Sequence, residues 1–424
     1  MFRCVTKISI QQITTSASGV KRNKLLLFDF VNSFNCSSNW TDLTNNGKII
    51  IPKNIAVRDK MGKLVPIYDN NNPINGWDSN TPLFLRGDSV TINFGYRYSD
   101  SIGNDILDIA PLPIFTGYIT KVVSKKPIEL EIEDSMWLLK QIPAQGGDNG
   151  LFRQSAYTWE QALREMLKTT PFKVNALTET SIGDFRVENE TVCQVLDRVR
   201  KDYHLEAYFA NVIDPKTKDV VTELRTGSKV YIDSEAVTSV FKFQYNIIDD
   251  NLDYSRKDDV ILSAICYSVN KFTSTEMTKR GKTKTKSERL EILVYWDFNK
   301  QVYKYIKKQN DVSYPPNIQG ERRTFYFWNI KNETDLFDQG VLQLKKYYYT
   351  GFKGSFTTFA IPYVKLGDNV ALLDNILPER NGLYKVRGVE YSGGVGGHRQ
   401  TISLDYLIYP LNAKGQKMVT GKYG

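Results

Sequence analysis

Two stretches far apart in the chain carry one pattern: LRGDSVTINF at residues 85–94 and LGDNVALL at residues 366–373. Each reads Gly-Asp, a polar residue, Val, then alternating apolar positions. The likeness continues downstream in the same order. TGYITKVV (116–123) and IELEIED (128–134) follow the first, GLYKVRGV (382–389) and TISLDY (401–406) the second. Gly before a strand tolerates φ > 0, and Asp bonds nearby backbone, so Gly87–Asp88 and Gly367–Asp368 read as tight turns that set strand geometry. A chain that runs twice through one series of elements is expected to build two similar β units.

The remaining patterning agrees. Residues 127–133, PIELEIE, put Ile128, Leu130 and Ile132 on one face and Glu129, Glu131 and Glu133 on the other. Aromatic residues are 12% of the chain, including 25 Tyr and 21 Phe, which favours strands. Residues 1–145 read as all-β, with NSFNCSSN (32–39) and DNNNPINGWDSN (69–80) as turn clusters and AQGGDNG (144–150) as a linker. Residues 146–235 read as a small α+β domain. Thr158 with Gln161 and Thr191 with Gln194 have capping-box spacing before apolar stripes, and a hairpin turns at DPKTKD. Residues 236–412 return to strands, with an inserted basic loop and one helix at about 270–350. That helix spans Asp335–Tyr349, and Gly351 is placed as its stop. Residues 413–424 read as a flexible tail.

These residues together resemble a known family. FTGYITKV…IELEIEDSMWLLKQ, TVCQVLDRVRKDYHLEAYF, FKFQYNIIDDNLDYSRKDDV and KLGDNVALLDN…GLYKVRGVEYSGGVGGHRQTISLDY are similar, in order, to phage tail and baseplate hub proteins. That group includes the late control protein D family and the hub-like part of the type VI secretion spike protein. The likeness runs over roughly residues 84–407, and the order of elements carries it more than any motif. It implies a mainly β fold with an α+β insertion: two similar β-barrel (tail-hub) domains, a small α+β domain and one further helix. It implies a homotrimer that adapts a sixfold tail tube to a threefold spike or tip. Three chains with two equivalent barrels each present six similar faces. The expected partners are other copies of the chain, a tail tube protein and a spike or tail-tip protein, with transient DNA passage. The expected location is the virion tail, after assembly in the host cytoplasm.

Chemistry is sparse. The four cysteines form no CxxC pair, and the only histidines are His204 and His398. Neither HExxH nor GxSxG occurs, and no cofactor, metal or catalytic residue is expected. Asp249, Asn251 and Asp253 match the first spacings of a calcium loop, but Tyr254 and Val260 stand where Gly and Glu are required; a turn rich in capping side chains is expected there instead. Gly393, Gly394, Gly396 and Gly397 in YSGGVGGHRQ precede an alternating strand and not a helix, so they are expected to bend a hairpin. The net charge of +9 is dispersed except in TKRGKTKTKSER (278–289). There Lys279, Arg280, Lys282, Lys284, Lys286 and Arg289 are candidate partner contacts on a loop. RRTFYFWN (322–329) mixes cations with rings that could stack on bases, but a strand with buried rings is the better reading of it. No leader and no membrane span is expected. Two other functions fit a β-rich tail protein: a receptor-binding module and a peptidoglycan-degrading enzyme.

Overall fold

The computed structural model describes residues 2–13, 19, 22–52, 56–58, 64–66, 83–123, 127–178, 182–228, 230–231, 236–255, 262–277, 283–297, 299–300, 302–308, 314, 321–328, 330, 332–347 and 350–418. The chain opens with β1 (Phe2–Gln11), β2 (Leu25–Phe28), β3 (Ser33–Asn39), β4 (Asn46–Ile51), β5 (Ala56–Arg58) and β6 (Leu64–Pro66). It continues with β7 (Ser89–Ser99), β8 (Asp105–Ile109), β9 (Phe115–Val123), β10 (Ile128–Asp134) and α1 (Met136–Leu139). A mixed unit follows: β11 (Leu151–Phe152), α2 (Trp159–Met166), β12 (Lys173–Ala176), β13 (Phe185–Arg186), α3 (Val192–Tyr203), β14 (Glu206–Ile213) and β15 (Val220–Gly227). Next come β16 (Ser239–Lys242) and β17 (Ile247–Ser255). An inserted unit holds β18 (Leu262–Met277), β19 (Thr283–Asp297), β20 (Val302–Lys307), β21 (Glu321–Trp328) and α4 (Glu333–Tyr347). The chain closes with β22 (Gly351–Phe359), β23 (Asn369–Leu373), β24 (Gly382–Gly394) and β25 (Arg399–Pro410).

The main sheet runs β17-β22-β25-β24-β3-β4-β10-β9-β7-β1-β2, with β23 beside β24, β16 beside β23 and β8 beside β7. Within it one six-strand order occurs twice. The second half reads β17-β22-β25-β24-β23-β16 and the first β3-β4-β10-β9-β7-β2, with β1 inserted before β2. The matched strands also follow one another in the same chain order. Even the directions agree: β16 is parallel to β23, and β2, antiparallel to β1, is parallel to β7.

Closed barrels are not what the ladder forms. Among the described residues no strand pairing joins β2 to β3 or β16 to β17. These end strands are instead consecutive in the chain, so a covalent turn brings each sheet's ends round. The halves do not stand apart either. They are fused through β3 and β24, and one apolar core takes Ile10, Ile49, Ile92 and Leu130 from the first half and Phe241, Phe356, Val386 and Leu404 from the second.

Two smaller cores flank it. Both capping boxes form: Gln161 N donates to Thr158 Oγ1 and Gln194 N to Thr191 Oγ1, each at 3.3 Å. The stripes they start, Trp159 and Leu163 on α2 and Val195 and Leu196 on α3, pack on the sheet β12-β15-β14. His204 ends α3 in the left-handed region, at φ +55°. The inserted unit, with strand order β20-β19-β18-β21, buries Ala264, Cys266, Ile292 and Val294 against Leu336 and Leu344 of α4.

Four local expectations need correction. NSFNCSSN is the strand β3, not a turn, and buries Phe34 and Cys36. Asp249, Asn251 and Asp253 lie on β17; their polar side chains mark an exposed edge strand. Gly351 opens β22 and does not end the helix. The 144–150 segment is pinned, with Ala144 N donating to Glu190 O and Asp148 N to Leu151 O. DNNNPINGWDSN and residues 419–424 lie outside the described residues.

Candidate assembly surface

The two Gly-Asp turns are built bond for bond alike. Gly87 and Gly367 sit at φ +94° and +82°, where a Cβ is strained. Gly87 N donates to Ile119 O (2.8 Å) and Ile119 N to Asp88 O (2.9 Å). Gly367 N donates to Val386 O (3.1 Å) and Val386 N to Asp368 O (2.9 Å). Each aspartate folds back onto its own turn: Leu85 N donates to Asp88 Oδ2 at 2.9 Å and Lys365 N to Asp368 Oδ2 at 3.0 Å.

Their surroundings differ. Asp88 is fully buried and clamped by both terminal nitrogens of Arg22 at 2.8 Å, a bidentate pair suited to a dry site. Asp368 is half-buried, and burial raises its carboxyl pKa against the pull of Lys365 and Lys385. The Arg22 clamp had no signal in the sequence, because nothing local links residue 22 to residue 88.

Between the halves runs a seam. Residues 33–39 of β3 pair with 394–388 of β24. Glycines permit this closeness: a Cβ on Gly393 would lie 2.4 Å from the Phe34 ring, and one on Gly394 2.3 Å from Asn32 O. The glycine run therefore turns a hairpin whose first arm lies flush against β3. An open cavity of about 370 Å³ beside it is lined in part by Lys48 and Arg399. Both cations are engaged. Lys48 Nζ is 2.7 Å from Glu129, and Arg399 donates to His398 O while its guanidinium lies over Phe359. No phosphate cradle results.

His398 lies behind the hairpin, fully buried. Its Nε2 is 3.0 Å from Thr6 Oγ1, and the rings of Phe34, Phe94 and Tyr96 surround it. Burial pushes its pKa down to about 4, and the Arg399 charge adds to the effect. A neutral imidazole packed among rings is core, not a proton donor to substrate.

The three strand glutamates are matched by lysines: Glu129 with Lys48, Glu131 with Lys121, Glu133 with Lys140, at 2.7, 3.0 and 2.7 Å. Buried Asp134 accepts from Asn45 N, Asn45 Nδ2 and Met136 N, each at 3.0 Å, tying the β3–β4 turn to the start of α1. Burial pushes its pKa up to about 6, and those donors hold it from rising further. Trp40 Nε1 donates to Tyr231 OH, which donates to Asp405 Oδ2 at 2.6 Å, joining β3 to β25.

Of the basic candidates, Lys279, Arg280 and Lys282 lie outside the described residues. Lys284 and Lys286 are on the backbone of β19, a strand where a loop was expected. Arg289 is exposed, 3.9 Å over the Tyr267 ring and 3.6 Å from Glu291. Tyr267 stacks on exposed Tyr326 at 5.3 Å. Phe327, the next residue, is buried under α4, so Tyr326 and Phe327 of β21 put one ring in solvent and one in the core. Lys284, Lys286 and Arg289 are thus not brought to the seam or to the Gly-Asp turns.

No group of three or more metal-ligating side chains occurs among the described residues. Nor is any described helix long and apolar enough to cross a membrane. The surface offers strand edges and paired charges, which suit assembly.

No protein-family model matches the sequence, and no curated protein matches it. Solved structures do. The tail protein from Neisseria meningitidis MC58 is similar over 95% of this chain and 96% of its own, at 12% identity and a TM-score of 0.52. The 43 kDa tail protein of prophage MuSo2 from Shewanella oneidensis is similar over 94% and 97%, at 11% identity and a TM-score of 0.49. At such identity the likeness to the Neisseria structure is one of fold.

Proposed function

We propose that this chain is a structural component of a phage tail or related injection machine, a homotrimeric hub adapting a sixfold tube to a threefold spike or tip. One observation carries the reading: the six-strand order that occurs twice, fused edge to edge through β3 and β24. Three such chains place six like β units around an axis. One face of that ring then suits a sixfold partner, while the unlike insertions leave the other face threefold. The fold shared with the Neisseria tail protein over almost the whole of both chains supports a tail role. The Gly-Asp turns fix strand geometry. The inserted unit, with Arg289 on its outer face and Lys279–Lys286 nearby in sequence, is the proposed partner contact.

A mass measurement across a concentration series tests this. A species of about 146 kDa, three times the 48.6 kDa chain, is expected, with three copies on the tube axis of assembled particles. A monomer at every concentration, absent from the axis of assembled tails, sinks the hub. Loss of cell-wall turbidity on addition of the protein, abolished by replacing specific carboxylates, would establish an enzyme instead.

A further inference from the structure

One cross-strand pair in the second half differs in kind from its counterpart in the first. Asn369, the residue after the Gly367–Asp368 turn, stands directly opposite Lys385 in the β23–β24 ladder. The matching pair in the β7–β9 ladder is Ser89 and Tyr118. Lys385 is 3% exposed and Asn369 2%, so an amine and a carboxamide meet out of water. Lysine is almost never buried so fully. Its Nζ lies 2.8 Å from Asn369 Oδ1 and 5.2 Å from the centre of the Tyr231 ring, which is buried against Trp40.

The asparagine is pinned. Its backbone N donates to Thr238 Oγ1 at 3.1 Å, Thr238 Oγ1 donates to its carbonyl at 2.8 Å, and its Nδ2 donates to Ala236 O at 2.9 Å. A C=O bond is about 1.2 Å long, so the amide carbon lies within about 4 Å of the lysine nitrogen. Reactants fixed so close in a dry site need little further ordering to react. A carboxyl stands by to move protons. Burial raises the pKa of half-buried Asp368, and the charge of Lys385 is felt there.

We propose that Lys385 and Asn369 join in an amide bond between their side chains. Asp368 takes one proton from the lysine ammonium. Nζ then attacks Asn369 Cγ, the Nζ–Cγ bond forms and the Cγ–Nδ2 bond breaks. The second proton that Nζ gives up goes to the departing nitrogen, which leaves as ammonia and carries off the Asp368 proton as ammonium. Nothing is oxidised or reduced. A buried ammonium is exchanged for a neutral amide, which removes the cost of keeping a charge out of water. The bond rivets β23 to β24 and closes residues 369–385 into a covalent loop. The first half, with Ser89 and Tyr118, has no such chemistry available. None of this depends on the tail reading.

Intact-mass spectrometry of the purified full-length protein tests it. The expected mass is that of the sequence less one ammonia. Digestion is expected to yield a branched peptide joining the segments around residues 369 and 385. Lys385→Arg and Asn369→Ala are each expected to show their own full sequence mass. Asp368→Asn is expected to leave most chains at full mass with both partners in place; a complete ammonia loss in that variant overturns the part of Asp368 and leaves the bond standing. Cyclisation of Asn369 onto its own backbone also releases ammonia, but it needs no lysine and gives no branched peptide. A parent chain of full sequence mass, or an ammonia loss that survives Lys385→Arg, overturns the proposal. The mass and peptide map of the parent chain decide by themselves, even where a variant fails to fold.

Discussion

His398 gives the sharpest check on how the halves are joined, because it is buried beside the seam with Thr6 and three aromatic rings. Burial lowers its pKa from 6.5 to about 4. Folding thus favours the neutral ring. The contribution is fully present above pH 6.5 and is lost as pH falls toward 4. At about 1.36 kcal/mol per unit, a difference of roughly 2.5 units amounts to about 3 kcal/mol. The chain has only two histidines, so a ring-proton NMR titration carries two signals. His398→Asn removes one and thereby assigns it. The expected midpoint for the folded protein is about 4. In denaturant unfolding, the penalty of His398→Asn relative to the parent chain should shrink by about 3 kcal/mol between pH 7 and pH 4, because the parent alone bears the cost of charging a buried ring. A midpoint near 6.5, or a penalty independent of pH, refutes the reasoning and means that the ring is solvated.

Other outcomes follow from the same geometry. Asp134→Asn should show the opposite slope: the buried carboxyl, raised to about 6, contributes most below pH 3.8 and loses that contribution as pH rises through 6, so the variant gains about 2 kcal/mol relative to the parent from pH 4 to pH 7 in the same unfolding assay. Arg22→Met should cost about 3–5 kcal/mol by leaving the Asp88 carboxylate buried without the Arg22 charge, and adding Asp88→Asn should recover part of the loss in thermal melts. Gly393→Ala should cost about 1–3 kcal/mol of stability through overpacking against Phe34 and so lower the melting temperature, whereas Gly396→Ala, with nothing within 4 Å of its added Cβ, should leave it unchanged.

What could be read from the sequence was local. Alternation marked Leu130 and Ile132 as buried and the facing glutamates as wet, and two threonine–glutamine pairs marked helix starts. The repeated Gly-Asp turns were legible because each is a short-range unit, with a bond from its own aspartate three residues back. The seam was not. β3 carries Ser and Asn at five of its seven positions, a composition typical of turns. It is a strand because β24, some 350 residues later, offers it a ladder. β17 was misread for the same reason: acidic residues deplete strand propensity, and tertiary pairing with β22 overrides it. His398 looked like part of the glycine turn beside it, since the rings that enclose it come from residues 34, 94 and 96.

β24 belongs to both halves at once: residues 382–385 pair with β23, while residues 388–394 pair with β3. In mechanical terms it is a tie-rod. Sliding the halves along the strand direction loads the ladder bonds of seven residue pairs together, so they cannot shear one bond at a time. No flexible linker lies between the units at that point, and hinge motion there has no low-energy path. Force applied to one half is therefore delivered to the other without slack: the two β units respond to load as one beam, whichever of them is pulled.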